Sequence, residues 1–108
     1  MNSYTTEILI TELINDLKSK YIDFKGIYFF GSRSTNKHFE NSDLDLVFTF
    51  NREINRKFKD EIRSLVYDYD LKYDVVIDSH IYNYKDILNP VTPFRNDVKT
   101  QGIFYGAK

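Results

Sequence analysis

Ser42-Asp43-Leu44-Asp45-Leu46-Val47-Phe48-Thr49-Phe50 is the stretch on which the fold turns. Leu44, Leu46, Phe48 and Phe50 alternate with Asp43, Asp45, Val47 and Thr49. A period of two is that of a strand, so the large apolar side chains share one face and both aspartates project from the other. Upstream, Ile27-Tyr28-Phe29-Phe30 is a short apolar run of β-formers bounded by Gly26 and Gly31, and it reads as a buried strand with Gly26 as a break before it. The segment from Gly31 to Ser42 is polar and turn-rich. Downstream the period changes. Ile54, Phe58, Ile62, Leu65, Val66 and Tyr69 form one stripe, which predicts a helix over about 52–69 with Asn51 as its N-cap. Tyr73-Asp74-Val75-Val76-Ile77-Asp78 then reads as a third strand.

The flanks complete the pattern. Ile10, Leu13, Ile14, Leu17 and Tyr21 recur at helical spacing, with polar residues filling the other face. A short turn or helix is expected around Tyr84 to Leu88. Thr92-Pro93 looks like an N-cap followed by proline in the first turn, Phe94 and Val98 share a face, and Gly102 is placed to end that helix. Ile103-Phe104-Tyr105 adds a last strand. The order of elements predicts a single α/β (α+β) domain over residues 1–108, with one small mixed sheet flanked by helices. The second strand, long helix and third strand form a βαβ unit, which favours parallel pairing.

With 108 residues the chain has room for one core, so any large substrate-recognition lobe has to come from a partner. A formal net charge of -1 gives no electrostatic signature for sequence-independent nucleic-acid binding. The absence of cysteine excludes disulfides and thiolate metal sites. The N-terminus does not read as a signal peptide, and no stretch is apolar enough for a membrane span, so a reducing, cytoplasmic location is expected.

Asp43 and Asp45 carry the chemistry. Two carboxylates side by side on one face repel each other, unless one is protonated or a cation sits between them. Oxygen-only donors favour a hard ion such as Mg²⁺, which takes one or two protein carboxylates and completes its shell with water and phosphate oxygens. Parallel pairing would set the start of the third strand beside the start of the second, bringing Asp74 towards Asp43 and Asp45. Three carboxylates around one or two Mg²⁺ suit in-line displacement at phosphorus. Gly31 lets the backbone approach a phosphate closely, and a helix opening there would present free N–H groups to an anion. Ser32 adds a hydroxyl and Arg33 a charged clamp.

Gly31-Ser32, ten intervening residues and Asp43-Leu44-Asp45-Leu46 together resemble the signature of nucleotidyltransferases of the DNA polymerase β superfamily, in particular the minimal (MNT) branch. The apolar strand before Gly31, Ser42 ahead of the first aspartate, Tyr73-Asp74-Val75-Val76 and the closing Val98 to Tyr105 also fit, so the resemblance runs from about residue 25 to the end. There are departures. Where the family often has Gly-Ser-x-Ala-x-Gly, Ser34 replaces the alanine, Thr35 stands where an arginine is common, and Asn36 replaces the second glycine. Asparagine is the residue that best substitutes for glycine at positive φ.

The resemblance implies a polymerase β-like nucleotidyltransferase fold and attack by a hydroxyl on the α-phosphate of a nucleoside triphosphate. Asp43 and Asp45 would hold the nucleotide-bound Mg²⁺. Asp74 would join a second metal and help deprotonate the hydroxyl, while Gly31, Ser32, Arg33 and Ser42 bind the nucleotide. Stand-alone minimal members resemble antitoxins that move AMP from ATP to a tyrosine of a HEPN-domain toxin, which makes a toxin of that kind the expected partner. A small-molecule acceptor, as in aminoglycoside-modifying relatives, and a module that neutralises its partner by contact alone are the alternatives.

Plainer roles are expected elsewhere. Asp68-Tyr69-Asp70 repeats the Asp-x-Asp pattern but closes a helix, so it reads as a solvated cap. Asp78 shares a face with Asp74 and reads as a strand-end residue entering a turn. His38 and His80 lack ligand spacing to each other and read as loop residues. Lys37 reads as a surface charge, and the 9 tyrosines as core and rim.

Overall fold

A computed structural model describes residues 3–30 and 44–107. The elements run α1 (Ser3–Lys20), β1 (Phe24–Phe30), β2 (Leu44–Phe50), α2 (Arg56–Tyr73), β3 (Ile77–Asn83), α3 (Tyr84–Leu88), α4 (Pro93–Gln101) and β4 (Ile103–Gly106). The four strands form one mixed sheet in the order β3-β2-β1-β4. β2 is antiparallel to β1 and parallel to β3, and β4 is antiparallel to β1. α2 is thus the crossover of the expected βαβ unit.

The alternation of β2 divides the molecule into two layers. Leu44, Leu46, Phe48 and Phe50 are fully buried against α1 and α2, through Leu9, Ile10, Leu13 and Leu17 of the first helix and Phe58, Ile62 and Val66 of the second. Val47 faces the other way and packs with Ile87 of α3 and Val98 of α4. Asp45 precedes Val47 on that second face, opposite the leucines, as the period of two requires.

Both boundaries of α2 differ from the sequence expectation for identifiable reasons. α2 starts four residues later than expected, capped by Asn55, whose Oδ1 accepts from the Phe58 amide at 2.8 Å. Asn51 does not cap it: its N–H donates to the Asp23 carbonyl, and Arg52 makes a two-pronged contact with the Asp23 carboxylate. These contacts hold the chain against the start of β1 before the helix can begin. At the other end α2 runs on through Tyr73, because Tyr73 extends the Tyr69 side of the stripe and its hydroxyl donates to Glu12 of α1.

Gly26 is inside β1 rather than before it. Its φ of 142°, together with a register shift between Phe24 and Gly26, marks a bulge. A Cβ there would lie 2.5 Å from the Tyr105 carbonyl oxygen of β4. Thr49, buried on the neighbouring strand, donates its hydroxyl to the Gly26 carbonyl at 2.8 Å. Glycine is required by both the dihedral and the close approach of β4. The other expected elements are present. Thr92 caps α4 by accepting from the Arg95 amide, Pro93 opens the helix, and Gly102 is its C-cap.

Candidate active site

Asp45 is the second residue of β2, and Asp78 is the second residue of β3. The parallel register pairs them directly, with Val47 opposite His80 two residues on. Paired residues of a parallel ladder project from the same face, and so do residues two apart on one strand. The carboxylates of Asp45 and Asp78 and the imidazole of His80 therefore meet on the α3–α4 side of the sheet. One donor atom from each of the three falls within 4.8 Å of the others, and His80 Nε2 is 3.3 Å from Asp78 Oδ2. Asp45 and His80 are half-buried, while Asp78 is exposed.

α4 closes this cluster from one side. Phe94 packs on His80 with ring centroids 5.1 Å apart and on Phe30, at the end of β1, with centroids 5.5 Å apart in an edge-to-face contact. Phe30 is in turn the register partner of Asp45. The antiparallel pairing of β1 and β2 thus puts the end of β1 and the start of β2 at the end of the sheet where Asp45 and Asp78 sit.

Asp74 is not on β3. It is the C-cap of α2, in the left-handed region with φ 51° and ψ 53°, and its N–H bonds back to the Asp70 carbonyl. The strand begins only at Ile77, because a chain leaving a helix to join a parallel sheet needs a turn to reverse direction, and residues 74–76 supply it. Val75 and Val76 look like strand residues by composition, but Val76 contributes a single carbonyl, to the Leu44 amide at 2.8 Å. Asp74 does not belong to the cluster, which takes its second carboxylate from β3 at Asp78. Asp78 is therefore not a strand-end residue entering a turn, and His80 is a strand residue rather than a loop residue. A signal for both was present: Asp78-x-His80 repeats on β3 the same-face spacing of Asp43-x-Asp45.

Asp70 is not a fully solvated cap either. Its carboxylate accepts from the Ile77 amide at 3.3 Å, tying the end of α2 to the first residue of β3, and burial raises its pKa. Gly31, Ser32, Arg33, Ser42 and Asp43, together with Lys37 and His38, lie outside the described residues.

The donor set fits a divalent cation. Ligands held at ~2.1 Å from one ion stand ~3.0 Å apart at right angles and ~4.2 Å apart across it, so three donors within 4.8 Å can share an ion with little movement. Asp45 and Asp78 supply the oxygen donors that such an ion prefers.

The profile of the nucleotidyltransferase domain matches residues 10–104, nearly the whole chain. The chain belongs to the nucleotidyltransferase domain family. No curated protein matches it in sequence. Among solved structures it is similar to a crystal structure of a mutant of the toxin-antitoxin pair MntA-HpeT, with a TM-score of 0.62, 19% identity, and coverage of 91% of this chain and 72% of that one. At that identity the likeness establishes a shared fold. The expected nucleotidyltransferase fold and the family read from Gly31-Ser32 and Asp43-x-Asp45 are both borne out. No helix among the described residues is long and apolar enough to cross a membrane.

Proposed function

We propose that this nucleotidyltransferase moves AMP from ATP to a hydroxyl of a partner protein, and that Asp43, Asp45 and Asp78 are its three active-site carboxylates. The observation that carries the reading is the parallel register of Asp45 with Asp78, which brings carboxylates from two strands onto one face beside the ends of the 31–43 connection. Asp43 and Asp45 would hold the metal that carries the triphosphate. Asp78 takes the proton of the incoming hydroxyl. The acceptor oxygen then bonds to the α-phosphorus as the bond to the leaving pyrophosphate breaks. A divalent cation bound there would supply charge neutralisation on the triphosphate and lower the pKa of the attacking hydroxyl. Gly31, Ser32, Arg33 and Ser42 are proposed to bind the nucleotide.

A protein acceptor is favoured by the surface next to Asp78. An open groove of about 400 Å³ between α2 and β3 is lined by Arg63, Tyr67, Asp70, Asp78 and Ser79. Tyr67 and Leu71, one turn apart on α2, are both exposed, and so is Val76 before β3. An apolar flank of this kind suits a docked protein better than a small polar acceptor. The toxin-antitoxin context of the MntA-HpeT structure, which shares the fold, agrees with an antitoxin whose acceptor is a tyrosine of a HEPN-domain toxin.

The test is incubation of the protein with ATP labelled at the α-phosphate, Mg²⁺ and the protein encoded by the neighbouring gene. Label on a tyrosine of the partner is the expected result. Label on a small molecule would move the acceptor to the aminoglycoside-like class, and a tight but unlabelled complex would replace transfer by neutralisation through contact.

A further inference from the structure

His80 has no part in the three-carboxylate scheme, yet it occupies the same face as Asp45 and Asp78 and contributes the third donor atom within 4.8 Å. We propose that His80 is a nitrogen ligand of the active-site metal, and that this makes the site favour a first-row transition-metal ion over Mg²⁺. The inference rests on the metal site described above.

Three observations converge on it. His80 is two residues beyond Asp78 on β3, so strand geometry keeps imidazole and carboxylate on one face. Its Nε2 lies 3.3 Å from Asp78 Oδ2, near the ~3.0 Å separation of neighbouring ligands on one ion. Its surroundings fix the ring: Phe94 of α4 packs on it, and its register partner is the fully buried Val47. A ring held by apolar neighbours and aimed at two carboxylates is placed to bind a cation. Mg²⁺ takes oxygen ligands almost exclusively, whereas manganese, iron and cobalt accept a mixed carboxylate and imidazole set.

An alternative is a simple ion pair between His80 and Asp78, and the two differ in a spectroscopic readout. Protein labelled with ¹⁵N at histidine would be loaded with Mn²⁺ and α,β-methylene-ATP, which cannot be cleaved at the transferred bond, and examined by pulsed electron–nuclear resonance. The expected result is a ¹⁵N coupling to Mn²⁺ that persists in His38→Ala and is absent in His80→Gln. In parallel, the excess of Mg²⁺ needed to displace Mn²⁺ should fall at least about tenfold in His80→Gln. Circular dichroism of His80→Gln establishes that it is folded. Nucleotide-dependent Mn²⁺ binding that is lost in Asp45→Asn but carries no histidine coupling would overturn the role of His80 and leave the carboxylate site standing. Failure of the folded wild-type protein to bind Mn²⁺ or Mg²⁺ with the analogue would overturn both.

Discussion

Asp45 of β2 and Asp78 of β3, 33 positions apart in the chain, are direct partners across a parallel ladder. The length of chain between them fixes nothing about which residues meet. The register does, and it selects Asp78 where composition pointed to Asp74.

That selection has a clear consequence. Asp78→Asn should lower the proposed AMP transfer by about 10²–10⁴-fold, the range typical of removing a group that moves a proton in the transition state. Asp74→Asn, at the exposed C-cap of α2, should leave transfer within a few-fold of wild type. Initial rates with labelled ATP and partner protein, on variants matched for thermal stability, check both. The reverse pattern would return the third carboxylate to Asp74.

The bulge in β1 predicts a severe backbone effect. Gly26→Ala forces a side chain onto a φ of 142° and sets its Cβ 2.5 Å from the Tyr105 carbonyl oxygen. Destabilisation of about 2–3 kcal/mol is expected, from strain plus displacement of β4. Urea unfolding measures it, and a loss below about 0.5 kcal/mol would mean that β4 can move aside at little cost.

A pH dependence follows from the contact that delays α2. The Arg52 guanidinium donates to Asp23 and holds its carboxyl below the ordinary 3.8, against the opposing effect of burial. A depressed carboxylate stabilises the fold above its unfolded pKa, and the contribution is lost as pH falls through the folded value. Arg52 is 39% exposed, so solvent screens the pair and about 1 kcal/mol is the expected scale. Asp23→Asn should thus be less stable than wild type by that amount at pH 7, with the difference shrinking as pH drops below about 3.8. Denaturation curves from pH 7 to pH 2.5 test the slope, and a difference constant across the range would assign the effect to something other than ionisation.

Much of this molecule was legible in the chain. The period-two pattern of Leu44 to Phe50 determined both a strand and its buried face, because alternation along a strand is a local geometric property. The Thr92-Pro93 start and Gly102 stop of α4, and the short helix at Tyr84–Leu88, were equally readable, since capping depends on neighbours in sequence. The start of α2 was not. Asn51 and Asn55 are alike as caps, and only the contacts of Asn51 and Arg52 with Asp23, nearly thirty residues upstream, decide between them.

The candidate site divides the same way. Sequence alone determined that Gly31-Ser32 precedes Asp43-x-Asp45 at the family's spacing, and that the chain is a nucleotidyltransferase domain. Only the tertiary structure decided which residue of β3 faces Asp45. A parallel pair has no tight turn to set its register, so the offset depends on how α2 packs on the sheet and where it ends. Tyr73 keeps α2 helical to the hydroxyl's contact with Glu12, Asp74 reverses the chain, and Ile77 becomes the first paired residue. Together these bring Asp78 and His80 to Asp45.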